Sequence, residues 1–218
     1  MTRTRTIDLT SRFMMRAVIL VSIFSAVSYG QDVKPEFDGH TWKAPYTLPT
    51  PKGWTIERFP IPISFAPQIP YNGVEDIRFT PGWGKVKSDE YWSYAFLWYL
   101  EGKVKIDPKI IAHNLKAYYT GLIGNNGPNI PREKLIPVAT SFTEAQTDSG
   151  DVKSYVGTIL MLDYMQQKPI LLNCKVHWRL CSGENKTFIF YELSPKALSH
   201  NIWVRLDRLW SDVRCKRR

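Results

Sequence analysis

The segment Tyr91-Trp-Ser-Tyr-Ala-Phe-Leu-Trp-Tyr-Leu100 decides the fold, because it is apolar on both of its faces. Successive side chains of an extended strand point to opposite sides. One side therefore carries Trp92, Tyr94, Phe96, Trp98 and Leu100, and the other carries Tyr91, Ala95, Leu97 and Tyr99. A strand of this kind lies near the middle of a sheet that is covered, at least in part, on both sides.

A helix with clear start and stop signals follows this strand. Asp107 is a good N-cap, and Pro108 takes the first helical position, where its missing N–H costs no hydrogen bond. One apolar stripe then recurs at helical spacing: Ile111, Leu115, Tyr118 and Leu122. Gly124 and the Asn-Asn-Gly-Pro sequence at 125–128 predict the end of the helix.

Strands are predicted on both sides of this helix. Two short strands precede it, at 57–65 and 75–79, and Pro60 and Pro62 place the first of them at a sheet edge. Four strands follow it, at 135–142, 153–165, 169–180 and 186–193, with short polar loops that indicate antiparallel neighbours. A helix at about 201–213 closes the chain. The sequence therefore predicts an α+β fold, with an antiparallel sheet of about six to seven strands and two helices packed mainly on one face.

The N-terminus has the pattern of a secretory signal peptide. Residues 1–16 are basic, 17–27 form an apolar run, and small residues come next. This order predicts cleavage after about Gly30 and a secreted or periplasmic protein. The apolar run is shorter than the roughly 20 residues that span a bilayer, so no transmembrane span is expected in the mature chain. A start at Met14 or Met15 would leave a leader of more ordinary length.

The mature chain divides into three parts by composition. Residues 31–52 are rich in proline and predict an extended arm on the domain surface or a short linker. A single α+β domain is expected at 53–213, followed by a basic tail at 214–218.

The predicted domain opens on Gly53-Trp54, carries Phe59-Pro60 in its edge strand and has Trp210 in its final helix. In these features and in its order of elements it resembles the PsbP-type domains, named for a subunit of the photosynthetic oxygen-evolving complex. The resemblance covers about 53–213. That family consists chiefly of adaptors and lipoproteins with little shared catalysis, so the resemblance implies a binding role.

Three basic side chains stand in a row on the predicted strand at 169–180. Lys175, His177 and Arg179 share one face, while the apolar residues between them share the other. One interpretation is the solvated side of a half-exposed sheet. The other is an anion-binding patch, because three adjacent donors can hold a carboxylate, sulfate or phosphate.

The same alternation argues against a cysteine nucleophile. Cys174 and His177 lie on opposite faces, and Cys181 lies ~13 Å from His177 at roughly 3.3 Å per residue. A thiolate–imidazole pair needs about 3 Å between sulfur and nitrogen, so neither cysteine forms one with His177.

Asp148 and Asp151 flank a glycine and fit an ordinary hairpin turn better than a calcium site.

The sequence contains no familiar zinc, serine-hydrolase or phosphate-loop motif, and neither a metal nor a cofactor is expected. A hydrolase or isomerase whose residues converge only in the fold is one alternative, with His113, His177, Asp76 and Asp163 as candidates. A structural, envelope-associated protein is another.

Trp83 is the leading candidate for a binding residue. It lies in the predicted turn Phe79-Thr-Pro-Gly-Trp-Gly84, where a large ring has little local chain to pack against. The ring either projects outward as a stacking contact or folds back into the core, and the sequence leaves both open.

Three cysteines in an exported protein leave one unpaired. The favoured pair is Cys181 with Cys215, because both stand near the ends of elements, while Cys174 is on the core face. A Cys174–Cys215 pair is the alternative.

The formal net charge of +9 favours acidic partners, although a solvated surface with a basic tail is the simpler interpretation. Export argues against nucleic acid. Aromatic residues make up 13% of the chain and either fill a core or line an apolar site. We therefore expect a secreted or periplasmic, non-catalytic binding or adaptor domain for an anionic or apolar small molecule or an envelope component.

Overall fold

The computed structural model describes residues 37–181 and 183–216, so the predicted signal peptide lies outside the described residues. The strands are β1 (Tyr46–Thr47), β2 (Thr55–Ile61), β3 (Gly73–Phe79), β4 (Tyr94–Glu101), β5 (Ala139–Ala145), β6 (Lys153–Asp163), β7 (Lys168–Cys181), β8 (Lys186–Ser194) and β9 (Arg214–Cys215). The α-helices are α1 (Pro108–Asn126) and α2 (Ile202–Ser211). Neither helix of this described part combines the length and apolar character needed to cross a bilayer.

Seven of these strands form one antiparallel sheet in the order β2-β3-β4-β8-β7-β6-β5, and β1 pairs with β9 in a second, small sheet. The α+β class is confirmed in this coarse form, with strands outweighing helices. The strand that carries Pro60 lies at the sheet edge, as predicted, because proline has no N–H to donate to a second neighbour.

The two helices cover opposite faces of the sheet. On one face, called the α1 face here, Phe96 and Trp98 of β4 share a buried cluster with Leu115 of α1. On the other, the α2 face, Leu97 of β4 shares a cluster with Leu206 of α2. The prediction that both helices pack mainly on one face is therefore wrong. A central strand that is apolar on both sides requires cover on both sides, and one helix on each face supplies it.

The described parts of the proline-rich arm (37–52) and of the basic tail (214–216) belong to the same compact unit as the sheet. Tyr46 of the arm is 2% exposed, and its hydroxyl donates to Asp76 at 3.0 Å. Arg78 donates to the carbonyls of Leu48 and Pro49 at 3.0 Å each. These contacts fix the arm across the α2 face.

A disulfide joins Cys181 at the end of β7 to Cys215 in β9. Cys174 is a buried free thiol, and burial raises its pKa well above the ordinary value. Cys174 faces the α1 side of the sheet, whereas Cys181 and Cys215 lie in the cluster on the α2 side. The sheet therefore separates Cys174 from Cys215, which excludes the alternative pair.

Candidate functional site

A pocket of about 180 Å³ lies on the α1 face, between the carboxyl end of α1 and the strands β2, β3 and β4. We call it the aromatic pocket, because most of its lining consists of rings: Phe59, Phe65, Phe79, Trp83, Trp92, Tyr94, Tyr118 and Tyr164. The remaining lining residues are Glu57, Ile77, Leu122, Asn125 and Asn126. Rings from five separate stretches of the chain thus surround one small volume.

Trp83, the candidate from the sequence, forms part of this wall. Its ring is partly buried, with its centroid 4.5 Å from that of Phe79 and 5.7 Å from that of Trp92. A Cβ on the preceding Gly82 would lie 2.0 Å from Ser88 Oγ, so this close turn requires glycine. The Trp83 ring packs against the edge of the hydrophobic core and also lines the pocket.

Trp92 is also among the lining residues, and its backbone has a strained conformation that the sequence did not predict. Its φ of 53° lies in the left-handed region, which a bulky side chain rarely adopts. The ring is fully buried and lies 5.3 Å from Tyr164, and the backbone N–H donates to the carbonyl of Trp83 at 3.0 Å. Because the backbone turns at Trp92, β4 begins at Tyr94 and not at the predicted Tyr91. Such strain costs about 1–3 kcal/mol and concentrates at functional sites.

The polar groups around the aromatic pocket are negative or neutral. Glu57 of β2 is exposed and forms no ion pair within the described chain. The last turn of α1, which includes Asn125 and Asn126, contains no basic residue. A helix carboxyl end carries about half a negative charge. No lysine, arginine or histidine is among the lining residues, so the formal charge of the lining is negative.

A buried carboxyl group lies behind the pocket wall. Glu75 is 0% exposed and accepts hydrogen bonds from the Tyr118 hydroxyl at 2.7 Å and from Trp98 Nε1 at 2.8 Å. Burial outweighs these two bonds and raises the pKa of Glu75 to about 8. At neutral pH this carboxyl group is therefore mainly protonated and uncharged.

A second, wider region of about 780 Å³ lies on the α2 face, and we call it the polar groove. It brings together the three basic residues predicted as a site. Its lining residues are Asp148, Ser149, Gly150, Lys175, His177, Arg179, Asp207, Trp210, Ser211 and Arg214.

Three of the four basic side chains of the polar groove have carboxylate partners, and the fourth, Arg214, donates to the backbone carbonyls of Ser211 and Val213. Lys175 Nζ lies 2.5 Å from Asp207 Oδ1. Arg179 donates twice to Asp151 Oδ1, at 2.9 and 3.1 Å, and lies over the Trp210 ring at 4.0 Å. Little uncompensated positive charge is left for an external anion, which weakens the anion-patch interpretation.

His177 is held between two buried carboxylates. Its Nδ1 lies 3.0 Å from Asp151 and its Nε2 lies 3.4 Å from Glu192. Burial alone lowers the pKa of His177, but its interactions with these two carboxylates outweigh burial and raise the pKa to about 9. The ring also stacks on Trp210 with centroids 5.3 Å apart. A charged, 4% exposed imidazolium in this setting ties β7 to its neighbours and is a poor base at neutral pH.

Asp148, Asp151 and His177 each place one potential metal ligand within 4.8 Å of the others. The oxygens of Asp151, however, already accept hydrogen bonds from Arg179 and from Trp210 Nε1. A metal ion would have to displace these donors and lie beside the guanidinium charge. The donor set is therefore a poor fit for a metal ion.

The four residues considered for a hidden catalytic set do not meet. His113 is exposed on α1, whereas His177 is buried under α2. Asp76 is buried against two arginines. Asp163 accepts from the Tyr91 hydroxyl at 2.6 Å and from backbone N–H groups of its own turn. Each side chain has separate partners, so these residues do not assemble into one reactive centre.

No protein-family model and no curated protein matches this chain. The resemblance to PsbP-type domains stays a prediction, and the aromatic pocket and the polar groove are the two features of the fold that bear on function.

Proposed function

We propose that the protein is an exported, non-catalytic binding domain and that the aromatic pocket holds its ligand. The observation that supports this proposal is the concave volume of about 180 Å³ that eight aromatic rings border. Ligand sites are concave and lined mainly by hydrophobic and aromatic side chains with a few polar groups. The aromatic pocket has this composition, since Glu57, Asn125 and Asn126 are its polar lining residues.

The size of the pocket limits what it holds. A cavity of about 150 Å³ takes a benzene-sized ligand. The aromatic pocket therefore accommodates one small ring or one compact apolar group, either as a whole ligand or as the end of a larger molecule.

The surroundings of the pocket favour binding over catalysis. Glu75 is the nearest buried acid, but it lies behind Tyr118 and bonds to that hydroxyl. The polar groove lies on the opposite face, and Lys175, His177 and Arg179 there are each paired with a carboxylate. Within the described chain, no nucleophile with an adjacent base borders the aromatic pocket.

A pocket-filling variant tests the proposal. Leu122 is half-buried in the pocket lining, so Leu122→Trp places a larger ring in the volume without removing core contacts. Cyclohexanol and benzyl alcohol are suitable neutral probes, with binding followed by ligand-observed NMR. We expect both to bind the wild type and to bind Leu122→Trp at least about tenfold more weakly, a loss of about 1.4 kcal/mol.

Val204→Trp is the matched control. Val204 is a 63% exposed aliphatic residue of α2, so the variant adds the same ring on the opposite face. It should bind the probes as the wild type does. Failure of both probes to bind the wild type, or undiminished binding by Leu122→Trp, would contradict the proposed function.

A further inference from the structure

We propose that the aromatic pocket selects an organic cation, specifically a quaternary or methylated ammonium group. This inference rests on the proposed function and names the ligand class of the same site. It depends on the arrangement of the rings, the charge around them and the hydrogen bonds their hydroxyls already make.

The rings stand at steep angles to one another around the volume. Trp83 meets Trp92 at 67° and Tyr94 at 78°, and Trp92 meets Tyr164 at 78°. Trp92 itself is 0% exposed, so a ligand touches chiefly the partly buried rings of the lining, which are Phe59, Phe65, Phe79, Trp83 and Tyr164. The face of an aromatic ring carries the negative part of its quadrupole and attracts cations. A cage of aromatic rings is the usual recognition site for quaternary ammonium groups.

The charge around the pocket complements a cation. Glu57 supplies a carboxylate that no described residue neutralises, and the carboxyl end of α1 adds partial negative charge. This negative site lies on a chain whose formal net charge is +9. A neutral ligand would gain nothing from that local potential, whereas an ammonium group would.

The hydroxyls of the two buried tyrosines of the wall, Tyr94 and Tyr118, are already bonded within the protein. Tyr118 donates to Glu75, and the hydroxyls of Tyr94 and Tyr119 lie 2.5 Å apart. A ligand that needs hydrogen bonds from these two hydroxyls would find them occupied. A methylated ammonium group needs none, and it is compact enough for the volume.

The test compares two ligands of nearly equal shape. Choline carries a trimethylammonium group, and its neutral isostere carries a tert-butyl group on the same alcohol. Isothermal titration calorimetry at low ionic strength measures both affinities. We expect choline to bind at least about tenfold more tightly, because the isostere lacks the cation–π and charge interactions.

Glu57→Gln tests the charge contribution, and Glu101→Gln is the matched control. Glu101 is an exposed carboxylate at the far end of β4, paired with Lys186 at 3.7 Å. We expect Glu57→Gln to lower the affinity for choline about three- to tenfold while leaving the affinity for the isostere unchanged. Glu101→Gln should change neither. Equal losses in both variants would show a long-range charge effect and would overturn the inference.

The outcomes separate this inference from the proposed function. Equal affinity for choline and its isostere, or binding of cyclohexanol without binding of choline, overturns the cation inference and leaves an apolar binding pocket. Failure of choline, the isostere and cyclohexanol alike overturns both.

Discussion

The hydroxyl of Tyr118 donates a hydrogen bond to the carboxyl group of Glu75 at 2.7 Å, and both residues are buried. This contact joins the wall of the aromatic pocket to an ionisable group inside the core. A buried acid with a raised pKa makes the stability of the fold depend on pH.

Glu75→Gln should make the domain less sensitive to alkaline pH. The pKa of Glu75 in the folded protein is about 8, above the ordinary value of 4.5. Between these values the unfolded chain releases the proton while the folded chain keeps it, so the free energy of unfolding falls as pH rises. The fall should amount to a few kcal/mol between pH 5 and 8, on the order of 1.4 kcal/mol per pKa unit.

Urea unfolding at pH 5 to 8.5 measures this slope. The slope should be smaller in Glu75→Gln, because glutamine does not titrate. Glu101→Gln removes an exposed carboxylate of the same sheet and should keep the slope of the wild type. Identical profiles for the wild type and Glu75→Gln would show that this carboxyl group ionises as readily in the folded protein as in the unfolded chain.

Replacing His177 tests whether the polar groove is a structural network or a binding site. His177→Gln leaves Glu192 buried without its ion-pair partner and leaves Asp151 with Arg179 alone. Breaking a buried ion pair in this way costs about 3–5 kcal/mol. Because the polar groove lies on the α2 face, binding in the aromatic pocket should not change.

The loss of stability in His177→Gln should become smaller as pH rises. The pKa of His177 is raised from 6.5 to about 9 in the folded protein, so its contribution is fully present below pH 6.5 and is lost as pH rises through 9. Urea unfolding of wild type and variant at pH 6 and 9.5 should show a large difference at the lower pH and a smaller one at the higher. His113→Gln, at an exposed position of α1, should match the wild type. A loss of cyclohexanol binding in folded His177→Gln would mean that the groove takes part in function.

Local alternation was enough to predict several features of the fold. The two apolar faces of the segment Tyr91–Leu100 placed it inside a sheet, and the prolines around Phe59 placed their strand at an edge. The same parity rule separated Cys174 from His177, and the structure places them on opposite sides of β7. Each of these features depends only on side-chain direction along one extended strand.

The features that sequence reasoning missed depend on contacts between distant parts of the chain. The helices were assigned to one face although the central strand needs cover on both. The carboxylates beside His177 come from Asp151, in a loop, and Glu192, on a neighbouring strand, and their approach is set by strand register. The left-handed Trp92 was assigned to a strand, because its conformation depends on packing against Trp83 and Tyr164. No periodicity in a single segment encodes these relationships.

The last expected outcome concerns Trp83, the residue that the sequence singled out first. Trp83→Ala removes one wall of the aromatic pocket, so the affinity for a pocket ligand should fall by ~1–3 kcal/mol, as for other aromatic anchors. The ring is partly buried against Phe79 and Trp92, so its truncation should also lower the free energy of unfolding. We expect a loss of about 1–3 kcal/mol, below the roughly 3–5 kcal/mol typical of a fully buried tryptophan.

Trp178→Ala separates these two effects. Trp178 is another partly buried tryptophan packed against the α1-face cluster, but it does not line the aromatic pocket. It should lose a similar amount of stability in urea unfolding and keep the affinity of the wild type for cyclohexanol and choline. Thermal melts of both variants measure the loss of stability, and calorimetry measures their affinity for the two probes. If Trp83→Ala loses stability like a core residue and still binds both probes normally, the ring is a structural support and not a contact for the ligand.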